Sequence, residues 1–185
     1  MFVRILIGLA VVIGVFAVIV ALQPSEYRVS RTTTISAPPS VPFAHVNNLQ
    51  KMHAWSPWSK IDPNAKNTFE GPEEGVGAVQ SWVGNNEIGE GRQTIIESRP
   101  NELVAFKLEF FKPFAGNAEA EIAFAPSGGQ TQVTWSMTGE KSYLSKAICM
   151  FMSMDKMIGG TFEKGLADLK TLSESQVNTP TSPAS

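Results

Sequence analysis

Residues 103–111 read LVAFKLEFF, and the alternation within them decides the fold class. In an extended chain, Val104, Phe106, Leu108 and Phe110 fall on one side, with Lys107 and Glu109 opposite. The same pattern recurs downstream. Ala118, Ala120, Ile122 and Phe124 oppose Glu119 and Glu121, while Val133, Trp135 and Met137 oppose Gln132, Thr134 and Ser136. A period of two with one apolar side marks antiparallel strands that face a core on one side and water on the other. Further strand-like runs at 27–35, 78–83 and 91–99 are separated from these by turn chemistry such as Gly84-Asn85-Asn86, Pro100-Asn101-Glu102 and Pro126-Ser127-Gly128-Gly129. This spacing predicts an antiparallel meander and not βαβ units. Ahead of the meander, Pro39 opens a helix over about 39–48, and residues 49–66 read as a short helix followed by an ordered loop.

From Ser142 to Leu172 the period changes to 3.6. Leu144, Ala147, Ile148, Phe151, Met154, Ile158, Phe162, Leu166 and Leu169 fall in one stripe, which predicts a single long amphipathic helix with Ser142 as its N-cap. Gly159-Gly160 is expected to weaken or kink it near the middle. A curved sheet wrapped around that helix buries both apolar faces, which makes the fold α+β, a helix grip.

The N-terminus is of another kind. Ile5–Leu22 (ILIGLAVVIGVFAVIVAL) is uncharged and, as a helix, about 27 Å long, close to the thickness of a bilayer's hydrocarbon core. A cleaved signal peptide is the competing reading. Signal h-regions are shorter and end in an A-x-A-like site, and neither holds here. Residues 1–23 therefore read as a single-pass anchor that meets the lipid bilayer through residues 5–22. The short N-terminal tail favours the N-terminus inside and the domain on the exported side.

Residues 25–172 then form one domain, and the Ser/Thr/Pro-rich residues 173–185 read as a disordered tail. Of the 15 Lys and Arg only Arg4 precedes Pro24, so the rest of the chain carries 14 basic against 17 acidic residues, a formal −3. That balance, with no basic cluster, argues against nucleic acid as a partner. Cys149 is the only cysteine, so no internal disulfide forms. His45 and His53 lack acids or thiolates at ligand spacing, and no metal or other cofactor is expected. The run GNNEIGEG (84–91) lacks the phosphate-loop Gly-Lys-Ser/Thr and reads as a hairpin loop.

Several segments carry a family resemblance in order: ISAPPSVPFAHVNN (35–48), WSPWSKIDP (55–63), EGPEEGVGAV (70–79), ESRPNEL (97–103) and TQVTWSM (131–137). Together they resemble the polyketide cyclase/dehydratase branch of the START-like (SRPBCC) superfamily over residues 27–172. The resemblance implies a helix-grip fold with a cavity between the C-terminal helix and the concave sheet. It says less about function, since such folds host lipid carriers, hormone sensors and cyclases.

The expected lining of such a cavity is Phe106, Phe110, Trp135 and Met137 from the strands, with Ile148, Phe151, Asp155, Ile158 and Phe162 from the helix. Asp155 stands out because it falls in the apolar stripe, where a carboxylate must be paired, protonated or wet. It reads either as a polar anchor or acid/base group inside the pocket, or as a structural acid bonded to a strand Arg, a Trp N–H or a Tyr hydroxyl. Arg92 is its natural partner if that side chain points inward, but the run TIIES leaves open whether Ile95 or Ile96 faces the core. Trp55, Trp58, Trp82 and Trp135 read as core aromatics or as part of a ligand cage. Three functions fit: a membrane-tethered pocket for a lipid or other hydrophobic small molecule, a cyclase/dehydratase-type enzyme using Asp155, and an interaction domain with a filled core.

Overall fold

A computed structural model of the chain describes residues 2–150 and 153–178. Its elements are α1 (Phe2–Leu22), β1 (Glu26–Ile35), α2 (Ser40–Val46), α3 (Leu49–Trp55), α4 (Pro57–Ile61), β2 (Lys66–Glu70), β3 (Val79–Val83), β4 (Glu90–Arg99), β5 (Leu103–Lys112), β6 (Gly116–Ser127), β7 (Gln130–Glu140), α5 (Tyr143–Cys149) and α6 (Met154–Asn178). The strands form one antiparallel sheet in the order β1-β7-β6-β5-β4-β3-β2. β1 returns beside the last strand, with Glu26 opposite Glu140 and Ile35 opposite Thr131. The fold is the α+β helix grip.

The alternation read from the sequence holds on β1, β5, β6 and β7. Val104, Phe106, Ala120, Ile122, Phe124, Val133 and Trp135 are buried on the helix-covered face. On β4 the core residue is Ile95, whereas Ile96 is exposed. A register shift between Ile95 and Glu97 then carries Glu97 to the outside. The expected strand set lacked β2. Its sequence, KNTFE, is short, polar and almost wholly exposed, so it has no apolar alternation to detect, and pairing with β3 is what makes it a strand. The expected loop after α3 holds α4. Asn48 caps α3 by accepting from the amides of Gln50 and Lys51 at 3.0 Å each.

Residues 142–172 are two helices, not one. Ser142 caps α5, accepting from the Ser145 amide at 3.2 Å. A new helix then starts at Met154, where the Ser153 hydroxyl accepts from the Lys156 amide. The break falls ahead of Gly159-Gly160, and α6 runs straight through that pair. Leu144 and Ile148 are consequently exposed and off the core. α5 leans on α1 instead: the Tyr143 hydroxyl donates to the Ala17 carbonyl at 3.0 Å, and Val20 is fully buried. Periodicity within one segment cannot reveal that a distant helix offers a second apolar surface.

α6 also continues past the expected domain end at Leu172. Phe162, Gly165, Leu166, Leu169 and Ser173 form its buried face. Glu174 accepts from the Ser36 amide at 2.7 Å, which with Lys170 holds its carboxyl below the usual range, and Gln176 bonds His45 at 2.8 Å. Residues 173–178 thus belong to the domain, contrary to the tail expected from composition, while 179–185 lie outside the described residues. A chain ended after Asn178 should unfold at the full-length melting temperature, and one ended after Leu172 should melt lower. Equal melting would show these last turns to be idle. The Ser173 hydroxyl is buried without a partner among the described residues, so Ser173→Ala should be neutral or stabilising by up to about 1 kcal/mol in urea unfolding.

Candidate functional site

α6 comes close to the sheet at Gly165. A Cβ on Gly165 would sit 2.8 Å from the Trp135 ring and 3.1 Å from Pro57. One turn earlier Phe162 stacks flat on Trp135, with centroids 4.4 Å apart and planes within 7°. Trp58 meets both rings edge-on at 5.5 and 6.0 Å, and Trp55 meets Trp135 edge-on at 5.8 Å. Three of the four tryptophans therefore form one aromatic block with Phe162, part core and part cavity wall. Trp82 stands apart, edge-on to Phe110 at 6.1 Å, and lies over Gly91, where any side chain would collide with its ring.

Beside that block the interior is open. A cavity of about 360 Å³ lies between α6, α3–α4 and strands β2–β7. Its apolar wall includes Met52, Phe106, Leu108, Phe110, Ala120 and Met137. Its polar wall includes a chain of hydrogen bonds, and Glu87 and Lys112 are the lining residues with full charges. The Asn67 amide donates to Ala65 O at 3.1 Å, which leaves its Oδ1 to accept from Gln80 Nε2 at 2.9 Å. Gln80 Oε1 accepts from Gln93 at 2.5 Å, and Gln80 Nε2 also reaches His53 Nδ1 at 3.2 Å. Because Gln80 donates there, His53 Nδ1 is an acceptor and the neutral ring carries its proton on Nε2. Burial pushes the His53 pKa down and favours that neutral form. Two polar atoms of the chain make no hydrogen bond among the described residues, His53 Nε2–H and Gln93 Oε1, and the Asn67 and Gln93 amides each keep a second N–H.

Of the residues expected to line the cavity, Phe106, Phe110, Trp135, Met137, Ile158 and Phe162 do so. Ile148 does not, because α5 is a separate helix, and Phe151 lies outside the described residues. Asp155 is not in the cavity either. It sits in the first turn of α6, more than half exposed, and is held by Arg31 of β1 through bonds of 2.7 and 2.9 Å. Arg31 Nε donates to Glu163 at 2.6 Å, and its guanidinium crosses directly over Gly159. Positions 155, 159 and 163 fall on one helical face, with the glycine as the saddle for the arginine. The hydrogen bond from Arg31 drives the Asp155 carboxyl below the usual carboxylate range, and the two carboxylates raise the guanidinium further. Arg92, the other partner considered, is exposed and bonds Ser81. The polar wall was not anticipated, although part of it was legible. Gln80 shares its face of β3 with Trp82, and Gln93 shares its face of β4 with Ile95.

Residues 26–174 match the family model described as polyketide cyclase/dehydrase and lipid transport. The chain belongs to that family. No curated protein matches the chain. Among solved structures, this family member is similar to a Thalictrum flavum norcoclaurine synthase mutant in complex with a transition-state analogue, at 11% identity over 85% of this chain and 99% of that one, TM-score 0.64. It is similar to the Zhui aromatase/cyclase of Streptomyces sp. R1128 at 14% identity over 83% and 97%, TM-score 0.59. It also resembles the di-domain aromatase/cyclase StfQ of the steffimycin pathway at 9% identity and TM-score 0.61, covering 84% of this chain and 53% of that one. At these identities the likeness is one of fold.

The geometry of Asp155 predicts a specific acid limb. A depressed carboxylate stabilises the fold above its unfolded pKa, and the contribution disappears as pH falls through the folded value. Urea midpoints of wild type and Asp155→Asn should therefore differ at pH 7 and converge as pH falls below the usual carboxylate range, with cavity contents unchanged. A variant that loses bound ligand while keeping its midpoint would return Asp155 to the site. Gly165→Ala, which forces Trp135 or Pro57 to move, should cost about 1–3 kcal/mol by the same measurement.

Proposed function

We propose that the chain is a membrane-anchored binding module that holds a lipid or another hydrophobic small molecule in the cavity beneath α6. The observation that carries this reading is the cavity's make-up: a mainly apolar wall with one neutral hydrogen-bonding chain, the charged residues Glu87 and Lys112 coming from the turns at one end. Sites for small apolar ligands have this character, with a few placed polar groups fixing orientation. A ligand hydroxyl could accept from His53 Nε2–H and donate to Gln93 Oε1, and a ligand carbonyl could accept from His53 Nε2–H alone, while the ligand's body met Phe106, Phe110 and Met137. A volume of about 360 Å³ suits a small ligand or one segment of a longer chain. The lipid-transport part of the family description supports the same reading. So does α1, whose Val3–Leu22 stretch is long and apolar enough to cross a membrane and is almost uncovered by the rest of the chain. On this reading α1 remains uncleaved, with the N-terminus inside and the domain on the exported side.

A second reading, an enzyme of the cyclase/dehydratase type, is favoured by one observation. Proton transfer there would rest on His53 and not on Asp155, whose carboxylate is engaged by Arg31 outside the cavity. The neutral imidazole has its Nδ1 fixed by Gln80, so Nε2 is the atom able to exchange a proton with a bound molecule.

The test is a comparison of cavity contents. Full-length protein is purified from membranes, extracted with organic solvent and analysed by mass spectrometry beside Ala120→Phe, which fills the space next to Phe106. A hydrophobic molecule should accompany wild type in near-equal amount and be missing from a variant that still melts cooperatively. Equal content in both would place the molecule outside the cavity and defeat the reading. His53 adds a pH signature. Its lowered pKa makes the folded state resist protonation, so stability and ligand content should fall as pH drops below about 6.5. His53→Gln should flatten that dependence.

A further inference from the structure

Strand register places several separate features at one end of the sheet. β1 begins there at Glu26, directly after α1, and β7 ends there at Glu140, directly before α5. The pairing of Phe110 with Gly116 brings the β5–β6 turn to the same end. The pairings of Glu90 with Lys112 and Val83 with Glu90 bring the β3–β4 turn there too. These two turns supply Asn86, Glu87 and Ile88, and Lys112, Pro113 and Phe114, to the cavity wall. The cavity therefore reaches the end of the domain from which α1 departs.

That end is also where large apolar side chains lie uncovered. Phe111 is 51% and Phe114 59% exposed at the β5–β6 turn, and on α5 Tyr143 is 55% and Leu144 51% exposed, with Ile148 beside them. Depth comes from the contact between the helices. Tyr143 donates to Ala17, which lies about 7.5 Å along the axis before α1 ends at Leu22. A surface-seated amphipathic helix sinks about 5–10 Å below the headgroups, the depth this contact dictates if α1 spans the bilayer. Lys146 carries no ion pair among the described residues, and its stem is long enough to snorkel to the headgroups.

We infer that this end of the domain is seated in the membrane leaflet, with α5 and the Phe111–Phe114 turn immersed beside α1 and the cavity opening onto the lipid. The inference rests on the reading of α1 as a membrane span. It makes the bilayer the immediate source or acceptor of the cavity's ligand, so that ligand is a membrane-resident amphiphile, and exchange need not cross water. It also accounts for α5 leaving the line of α6: its apolar side meets α1 and lipid instead of the sheet.

The experiment is lipid quenching of a fluorophore placed on the full chain. In a Cys149→Ser background, an environment-sensitive dye is attached to Phe114→Cys, Leu144→Cys or Ser127→Cys, the last being at the opposite end of the sheet beside the β6–β7 turn. Each is reconstituted in phosphatidylcholine vesicles containing a lipid spin-labelled near the headgroup end of its acyl chain. Fluorescence should be largely lost at 114 and 144 and unchanged at 127. A protein that stays in the vesicles but shows no quenching at 114 and 144, or equal quenching at all three sites, overturns the seating and leaves the anchor standing. A protein stripped from vesicles by alkaline carbonate overturns the anchor, and the seating with it.

Discussion

A seven-stranded sheet is wider than one helix, and the rest of this structure depends on that mismatch. Strands spaced about 4.8 Å apart give a sheet roughly 29 Å across, whereas a helix with its side chains is about 10–12 Å thick. α6 can cover only part of the apolar face. It lies on the β1–β7 side, where Gly165 admits Trp135 and Phe162 stacks upon it. What remains over β3–β5 must be filled by other elements or left open. The short helices α3 and α4 roof it, and the space they do not fill is the cavity.

The Arg31 clamp bears on the same partition. Its guanidinium holds both Asp155 and Glu163 across Gly159, tying α6 to the edge strand and away from the sheet's middle. Exposed ion pairs contribute little stability individually, because water and salt screen them. Their value here is positional: a two-carboxylate grip on one planar fork sets where the helix rests. The charge that looked most like a reactive group in the sequence thus acts from outside, by keeping the helix where the cavity can exist.

Inside, the hydrogen-bonded part of the polar wall is neutral and ordered, and the charged lining residues Glu87 and Lys112 come from the turns at one end. The Asn67–Gln80–Gln93–His53 chain bonds its own members and leaves Gln93 Oε1 as acceptor, with His53 Nε2–H and the second N–H of Asn67 and of Gln93 as donors, which suits an uncharged polar group on a ligand. The family's description spans both chemistry and transport, and the fold alone does not choose between them. The placement of the opening bears more directly on use, since a pocket that meets lipid and one that meets water draw on different molecules.

The linear sequence determined the strands with clean alternation, the apolar first helix, the helix-grip fold and six of the expected lining residues. These depend on periodicity and burial, which each segment carries in itself. Only the tertiary structure decided the rest. β2 exists because β3 pairs with it; its own residues carry no strand signal. The end of α5 at Cys149 and the fresh start of α6 at Met154 follow from α5 finding α1, and the extension to Asn178 follows from Ser36 and His45 receiving Glu174 and Gln176. Asp155 falls in the apolar stripe by period yet lies at the helix's edge, because Arg31 and a glycine without a side chain let an ion pair form there. Contacts between residues more than a hundred positions apart leave no mark on local pattern, and they are what separated the cavity's true polar wall from the residue that resembled one.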